Sequence, residues 1–257
     1  NKEMLSELNK LFHCENGNDL PIQEFKKILQ YIYNFNNQEI NLTGEIISTL
    51  KSLFIEKAEE TNDLIKDLPR INGLYNWRYP AMTKVEGALL YIMTRLLKPE
   101  IIVEAGTWMG TSTSYLAKGC CDNQRGKVIT VDKQEDVGYA IPDDLLPYIN
   151  FHKKTDIKEV LFEICNKENK IDMFFHDSNN SYELLRWEIN EILPFFNKNG
   201  LIIVHDIFNL DDDDPDKNVA HFFNAIKDKV KCYLFNTEKG IGVIKDPYWP
   251  ELKSDEK

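Results

Sequence analysis

From residue 100 onwards, short apolar runs alternate with stretches of helical spacing, and this alternation restricts the fold more than any other feature of the chain. Strands that alternate with helices predict a parallel sheet covered by helices on both faces. The last two apolar runs, on either side of residues 237–240, predict a closing hairpin that supplies an antiparallel edge strand. We therefore expect an α/β fold with a doubly wound, mostly parallel sheet of seven strands. The predicted strands are Ile101–Ala105, Lys127–Val131, Asn150–His152, Asp172–Phe175, Leu201–Val204, Lys231–Phe235 and Ile241–Lys245. The predicted helices between them lie at about residues 111–119, 157–167, 182–196 and 217–229.

The first third of the chain has a different pattern. Apolar residues recur there at helical spacing, Gly and Pro are sparse, and no strand alternation is present. We expect residues 1–80 to form a helical cap or oligomerisation region, which would suit a homodimer, and residues 81–257 to form the α/β domain. A further helix is predicted from Thr83 to Leu97, because Pro99 follows it.

Composition excludes several classes of partner. The net charge of −11 argues against a nucleic-acid backbone or an anionic membrane as the main partner. No apolar run approaches the roughly 20 residues that span a bilayer. The five cysteines are odd in number and have no metal or redox spacing, so we expect a reducing, cytoplasmic setting.

The stretch IIVEAGTWMGTS, residues 101–112, predicts a binding loop. A buried strand ends in an acid, two glycines follow at Gly106 and Gly110, and a helix begins at Thr111 and Ser112. Such a strand, turn and helix start can cradle a nucleotide-like ligand, since glycine lets the backbone come close to it. The spacing differs from the G-x-G-x-x-G of dinucleotide binders and from the phosphate loop. A plain strand-to-helix turn is the alternative interpretation.

Acids also follow the second and third predicted strands. Asp132 ends the second strand, where a carboxylate can accept both hydroxyls of a ribose. Asp156 follows the third strand and could bind an adenine amino group. It could equally cap the helix that begins at Ile157.

The fourth and fifth predicted strands end in His176-Asp177 and His205-Asp206. If these strands are neighbours, Asp177, His205 and Asp206 converge at one edge of the sheet. Two carboxylates and one imidazole suit a divalent cation with open positions, Mg²⁺ or, because of the imidazole, Mn²⁺, Fe²⁺ or Zn²⁺. Alternatively, His205 packs in the core and the acids cap helices.

Residues 82–245 resemble the cation-dependent O-methyltransferases of class I fold, a group that includes catechol O-methyltransferase. The resemblance is closer to the macrocin and cephalosporin-cluster type enzymes, which act on sugars and secondary metabolites. It is carried by MTKVEGALLYIMTRLLKP, VEAGTWMGTST, GKVITVD and IDMFFHDSNNSYELLRWEINEILPFFNKNGLIIVHD, in that order. It implies a Rossmann-like methyltransferase fold that binds S-adenosylmethionine (SAM) together with a divalent metal.

The resemblance also implies residue roles. Met82 and Thr83 would cover the cofactor, and Glu104 would lie near its methionine end. Asp132 would bind the ribose and Asp156 the adenine side. The other implied cofactor contacts are Gly106, Gly110, Thr111, Ser112 and His176. Asp177, His205 and Asp206 would hold the metal, with Asp177 and His205 also catalytic.

Two departures from the family pattern concern proton transfer. Asn179 and Asn180 stand where relatives often carry Asp or His, and an amide is no useful base near neutral pH. His205 stands where Asp or Glu is common. A metal can lower the pKa of a bound hydroxyl and so reduce the need for a base. His205 or His176 could instead be the base, or the metal could be lost.

The expected function is methylation of a hydroxyl on a sugar or secondary-metabolite-type small molecule, with vicinal hydroxyls that chelate the metal. A non-catalytic or metal-independent SAM-binding protein is an alternative, kept open by the two asparagines. A nicotinamide-dependent reductase is a further alternative that the glycine spacing disfavours.

Overall fold

The computed structural model describes residues 82, 84–165, 170–178, 181–207, 219–226, 230–235 and 239–245. The predicted helical region 1–80 lies outside these residues, as do Thr83, Asn179 and Asn180. Seven strands form one sheet in the order β3-β2-β1-β4-β5-β7-β6. The strands are β1 (Ile101–Ala105), β2 (Lys127–Asp132), β3 (Ile149–Lys153), β4 (Ile171–His176), β5 (Phe196–His205), β6 (Lys231–Phe235) and β7 (Ile241–Lys245). The α/β class and the mostly parallel sheet of seven strands are therefore confirmed.

Five α-helices accompany the strands in the described part of the chain. They are α1 (Lys84–Leu97), α2 (Thr111–Asn123), α3 (Ile157–Cys165), α4 (Tyr182–Ile192) and α5 (Val219–Ile226). Short 3₁₀ segments, Asp143–Tyr148 and Leu193–Phe195, precede β3 and β5. None of the described helices is long and apolar enough to cross a membrane.

The closing hairpin differs from the prediction in one respect. The antiparallel strand is β7, and it lies between β5 and β6 rather than at the edge. The side chains of Ile241, Val243 and Ile244 are fully buried, which suits a strand inside the sheet. Leu234 of β6 is 37% exposed, as expected at an edge. The apolar runs predicted the hairpin. They did not predict the order of its two strands in the sheet, because that order depends on which strand has the better buried faces.

Successive side chains of the central strands β1, β4 and β5 enter two separate apolar clusters, one on each face of the sheet. In β5, Leu201 and Ile203 pack with α1 and α2, whereas Ile202 and Val204 pack with α3, α4 and α5. A sheet buried on both faces explains why its strands are continuously apolar. The polar residues are thus confined to strand ends.

Backbone hydrogen bonds join the carboxyl ends of three strands. The Gly106 N–H donates to the Val131 carbonyl at 2.9 Å, and the Asp177 N–H donates to the Ala105 carbonyl at 2.9 Å. β4 and β5 are parallel neighbours, with His176 opposite Val204. The residues that follow β1, β2, β4 and β5 therefore meet at one edge of the sheet, at the carboxyl ends of its parallel strands, where open α/β sheets bind ligands.

Candidate active site

A cavity of about 500 Å³ opens at this edge of the sheet. That volume suits a small-molecule ligand. Its lining combines the loop after β1 with the ends of β2, β4 and β5. The lining residues include Met82, Gly106, Thr107, Trp108, Thr111, Ser112, Asp132, Thr155, Asp177, Leu184, Asp206 and Lys239.

The loop after β1 has the backbone shape that its glycines predicted. Gly106 has φ +98°, and a Cβ there would lie 2.2 Å from the Asp177 carbonyl oxygen. Gly110 precedes α2 with φ +90°, and a Cβ there would lie 2.3 Å from the Ile141 side chain. Both positions thus need glycine for conformation and for space. Because α2 begins at this loop, Thr111 and Ser112 bring its N-terminus, with its positive dipole end, to the cavity.

Asp132 joins the end of β2 to the loop after β1. Its Oδ2 accepts hydrogen bonds from the backbone N–H groups of Thr107 (3.1 Å) and Trp108 (2.9 Å). Its Oδ1 accepts one from Gln134 N–H at 2.9 Å. Asp132 lines the cavity, so it is placed to meet a ligand hydroxyl with its remaining acceptor capacity while it holds the loop in position.

Glu104 lies beneath the cavity rather than on its wall. Its side chain is fully buried, and Oε2 accepts a hydrogen bond from Thr113 Oγ1 at 2.6 Å. Its Oε1 has no hydrogen-bond partner among the described residues. Burial raises the pKa of Glu104 from 4.5 to about 7, because desolvation outweighs the hydrogen bonds from Thr113 and its neighbours.

Three other predicted cofactor contacts, Gly110, Asp156 and His176, also lie off the cavity wall. Oδ1 of Asp156 accepts from Lys158 N–H at 3.0 Å, which is the helix-cap geometry, and its Oδ2 pairs with Lys133 at 3.0 Å. The pKa of Asp156 is lowered, first by that backbone hydrogen bond. His176 is fully buried and its Nδ1 lies 2.6 Å from Oε2 of Glu188, which is also fully buried. Their contacts with a cofactor remain predictions.

The predicted acid–histidine cluster does form, because β4 and β5 are neighbours. His205 Nδ1 lies 2.9 Å from Asp177 Oδ1 and 3.4 Å from Asp206 Oδ1. One ligand atom from each of the three residues lies within 4.8 Å of the others, close enough to share one cation. Asp177 and Asp206 line the cavity, whereas His205 is buried behind them. Asp206 has φ +58°, a left-handed conformation that Asp tolerates better than most residues.

Charges around His205 decide its protonation when no cation is bound. Burial lowers its pKa, but the charge and hydrogen bond of Asp177, followed by Glu86, outweigh burial and raise the pKa well above 6.5. Burial also raises the pKa of Asp177, partly offset by His205. Without a metal, these interactions therefore favour the imidazolium form of His205 between the carboxylates.

Two residues near the cluster were not predicted from the sequence. Glu86 is fully buried on α1, and its Oε2 lies 3.2 Å from His205 Nε2. Lys239, just before β7, lines the cavity, and its Nζ lies 3.7 Å from Asp206 Oδ1. An acid in the first turn of a predicted helix was the signal available for Glu86, and no pattern in the sequence indicated its partner.

Residues 103–207 match a family model described as a methyltransferase domain. Over these residues the chain is thus similar to a methyltransferase domain. A search of curated proteins gives no match. The predicted resemblance to SAM-dependent methyltransferases is thus confirmed, and so is the assignment of the chain as an enzyme of that class.

Solved structures of methyltransferases have the same fold. One is the O-methyltransferase TomG from Streptomyces achromogenes in complex with SAM, with 15% identity, a TM-score of 0.52, and coverage of 86% of this chain and 97% of that one. Another is a methyltransferase from Geobacter sulfurreducens, with 14% identity, a TM-score of 0.51, and coverage of 84% and 96%. A third is the SAH-bound methyltransferase PaMTH1 from Podospora anserina, with 14% identity, a TM-score of 0.50, and coverage of 87% and 95%.

Proposed function

We propose that this methyltransferase transfers the methyl group of SAM to a hydroxyl oxygen of a small molecule with vicinal hydroxyls, with a divalent cation at Asp177, His205 and Asp206. One observation carries the proposal. Asp177 and Asp206 line the same cavity as the glycine loop and Asp132, so an acceptor held at the two aspartates lies next to the cofactor region. TomG, which shares the fold, is an O-methyltransferase.

The part of the cavity proposed for the cofactor has to position the methyl group of SAM and does not have to activate it. A sulfonium methyl group is already electrophilic, so the protein must hold it in line with the acceptor oxygen. Gly106 allows the ligand to approach the backbone, and Asp132 is the acid proposed for the ribose hydroxyls. Thr111 and Ser112 would line the methionine part, as the family resemblance implies. The new C–O bond forms as the C–S bond breaks, giving SAH, the methyl ether and one proton.

The donor set of the cluster fits a divalent cation. Two carboxylates and an imidazole nitrogen approach one point, and the carboxylates open on the cavity. A bound divalent cation would act as a Lewis acid that favours the deprotonated acceptor hydroxyl. Because Mg²⁺ prefers oxygen ligands, Mn²⁺ or another transition metal would tolerate the imidazole better.

The described residues also limit which groups can take the acceptor proton. His176 and His205 are fully buried, and neither lines the cavity. The carboxylates of Asp177 and Asp206 do line it, and Asp177 Oδ1 contacts His205 Nδ1. Of these four side chains, only the two carboxylates therefore border the cavity in which the acceptor proton is released.

Calorimetric titration of the chelator-treated protein tests the proposal first. SAM and SAH are each titrated with and without Mg²⁺ or Mn²⁺. We expect cofactor binding together with a separate metal-binding event. Cofactor binding without any metal event would refute the metal and leave a metal-independent methyltransferase or a binding protein. No cofactor binding would refute the proposed function itself.

A matched pair of acceptors tests the substrate class. We expect metal-stimulated formation of SAH with sugars or phenolics that carry vicinal hydroxyls, and little formation with the corresponding compounds that lack one of the two hydroxyls. Equal rates on both members of each pair would contradict chelation of the acceptor.

A further inference from the structure

We infer that Glu86 is the positioning residue of the metal centre: it holds the His205 imidazole with Nδ1 toward Asp177 and Asp206. The inference rests on the metal centre proposed above. Glu86 stands 119 positions before His205 and is not on the cavity wall. It therefore binds no cation itself and acts on one through the histidine.

The contacts of His205 divide between its two ring nitrogens. Nδ1 faces Asp177 and Asp206, at 2.9 and 3.4 Å. Nε2 lies 3.2 Å from Glu86 Oε2, an ion-pair contact. Because the two nitrogens of an imidazole point away from each other, Glu86 cannot bind the same cation. Its carboxylate instead favours the tautomer with the hydrogen on Nε2 and leaves the Nδ1 lone pair to the metal.

Glu86 also holds a second segment of the site. Its Oε1 accepts a hydrogen bond from Lys239 N–H at 3.2 Å, while Oε2 faces the imidazole. The Lys239 backbone N–H and the His205 Nε2 thus each face a different carboxylate oxygen of Glu86. A carboxylate can accept from both, whereas the amide of glutamine has only one oxygen and would turn its NH₂ group toward one of the donors.

The fold fixes Glu86 at this place. The residue lies in the first turn of α1, where the helix dipole stabilises a carboxylate. The next residue is Gly87, where a Cβ would lie 2.1 Å from the Tyr115 ring of α2. The missing side chain lets α1 pack closely on α2, and this close packing places the buried Glu86 against the end of β5.

This arrangement gives the imidazole a role that a carboxylate fills in the family pattern. A neutral imidazole brings less negative charge to a cation than Asp or Glu does. A buried carboxylate on its far side returns part of that charge and makes the nitrogen ligand more basic. Loss of such an outer partner typically weakens metal binding by about 10–100-fold.

The test measures Mn²⁺ affinity by calorimetry at one fixed pH, with SAH affinity as an internal check that the cavity is intact. For Glu86→Gln we expect Mn²⁺ binding to weaken by about tenfold or more, with SAH affinity unchanged. Tyr91→Phe is the matched control, because it removes a polar contact of the same helix, from the tyrosine hydroxyl to Asp122 at 2.8 Å. Its Mn²⁺ affinity should equal that of the wild type.

A double-mutant cycle separates positioning from general destabilisation. With His205→Ala already present, Glu86→Gln should cause no further loss of Mn²⁺ affinity, since its effect passes through the imidazole. An equal loss in both backgrounds would refute the inference. If Glu86→Gln does not fold, Glu86→Asp serves instead, because its side chain is too short to reach both donors and the same loss is expected.

The outcomes distinguish this inference from the proposed function. Wild-type protein that binds SAH but no Mn²⁺ would refute the metal centre and the role of Glu86 with it. Wild-type protein that binds Mn²⁺, with Glu86→Gln unchanged, would refute only the role of Glu86.

Discussion

Glu104 gives the most quantitative prediction, because its burial sets how stability depends on pH. Its pKa is about 7 in the folded protein, against 4.5 for an ordinary Glu. The folded state therefore holds this proton more tightly than the unfolded state does. The stability that protonated Glu104 contributes is fully present below pH 4.5 and is lost as the pH rises through about 7.

The size of this change in the free energy of unfolding follows from the same two pKa values. A gap from 4.5 to about 7, at about 1.4 kcal/mol for each pKa unit, is worth about 3 kcal/mol at full ionisation. At pH 5 most of this destabilisation is absent, because the folded state is still protonated. Glu104→Gln removes the titration and keeps the shape of the side chain, and the glutamine oxygen can still accept from Thr113. Relative to the wild type, we expect the variant to gain about 2–3 kcal/mol in free energy of unfolding between pH 5 and pH 8.

Urea unfolding of both proteins across this pH range provides the measurement. Other titrating groups are common to the two proteins and cancel in the difference. Glu100→Gln is the control, since this residue directly precedes β1 and its side chain is 70% exposed in its pair with Arg125. Its stability difference should stay below about 1 kcal/mol throughout. If the Glu104→Gln difference were the same at pH 5 and pH 8, the argument from burial would be wrong.

Three further substitutions test the cavity. Gly106→Ala should destabilise the fold by about 3 kcal/mol, from left-handed strain and the overlap of its Cβ with the Asp177 carbonyl, seen as a lower thermal midpoint with loss of SAM binding. Asp132→Asn should weaken SAM binding by about tenfold in calorimetry. The two carboxylate oxygens of Asp132 accept hydrogen bonds from the N–H groups of Thr107 and of residue 134, whereas an amide has only one accepting oxygen. Asp177→Ala should abolish SAH formation while SAM affinity changes less than about threefold; full activity in chelator-treated enzyme would contradict the metal mechanism.

The sequence predicted most of the sheet, because periodicity reports burial directly. β1, β6 and β7 have the predicted bounds, and both glycines after β1 adopt positive φ. The convergence of Asp177, His205 and Asp206 was also predictable, since parallel neighbours end at the same edge.

The sequence could not distinguish two roles that fit the same residue pattern. It also could not show which residues far apart in the chain contact each other. Asp156 satisfied the pattern of both a cap and an adenine contact, and the structure shows the cap. The contact between Glu86 and His205 depends on how α1 sits on α2, which the close approach at Gly87 decides. The position of Lys239 depends on the placement of β7 inside the sheet.

The short bridge between the ends of β1 and β4 has a consequence for exchanging parts between related enzymes. The Asp177 N–H bonds the Ala105 carbonyl, and the Asp177 carbonyl fills the space where a Cβ of Gly106 would be. The loop proposed to bind the cofactor and the residue Asp177 proposed to bind the cation thus share one closely packed piece of backbone. A chimaera that combines residues 101–106 of one enzyme with residues 171–178 of another would break up two backbone segments whose packing is matched to each other. New acceptor preferences are therefore better introduced by replacing chain segments beyond residue 207, with this paired backbone transferred as a single unit.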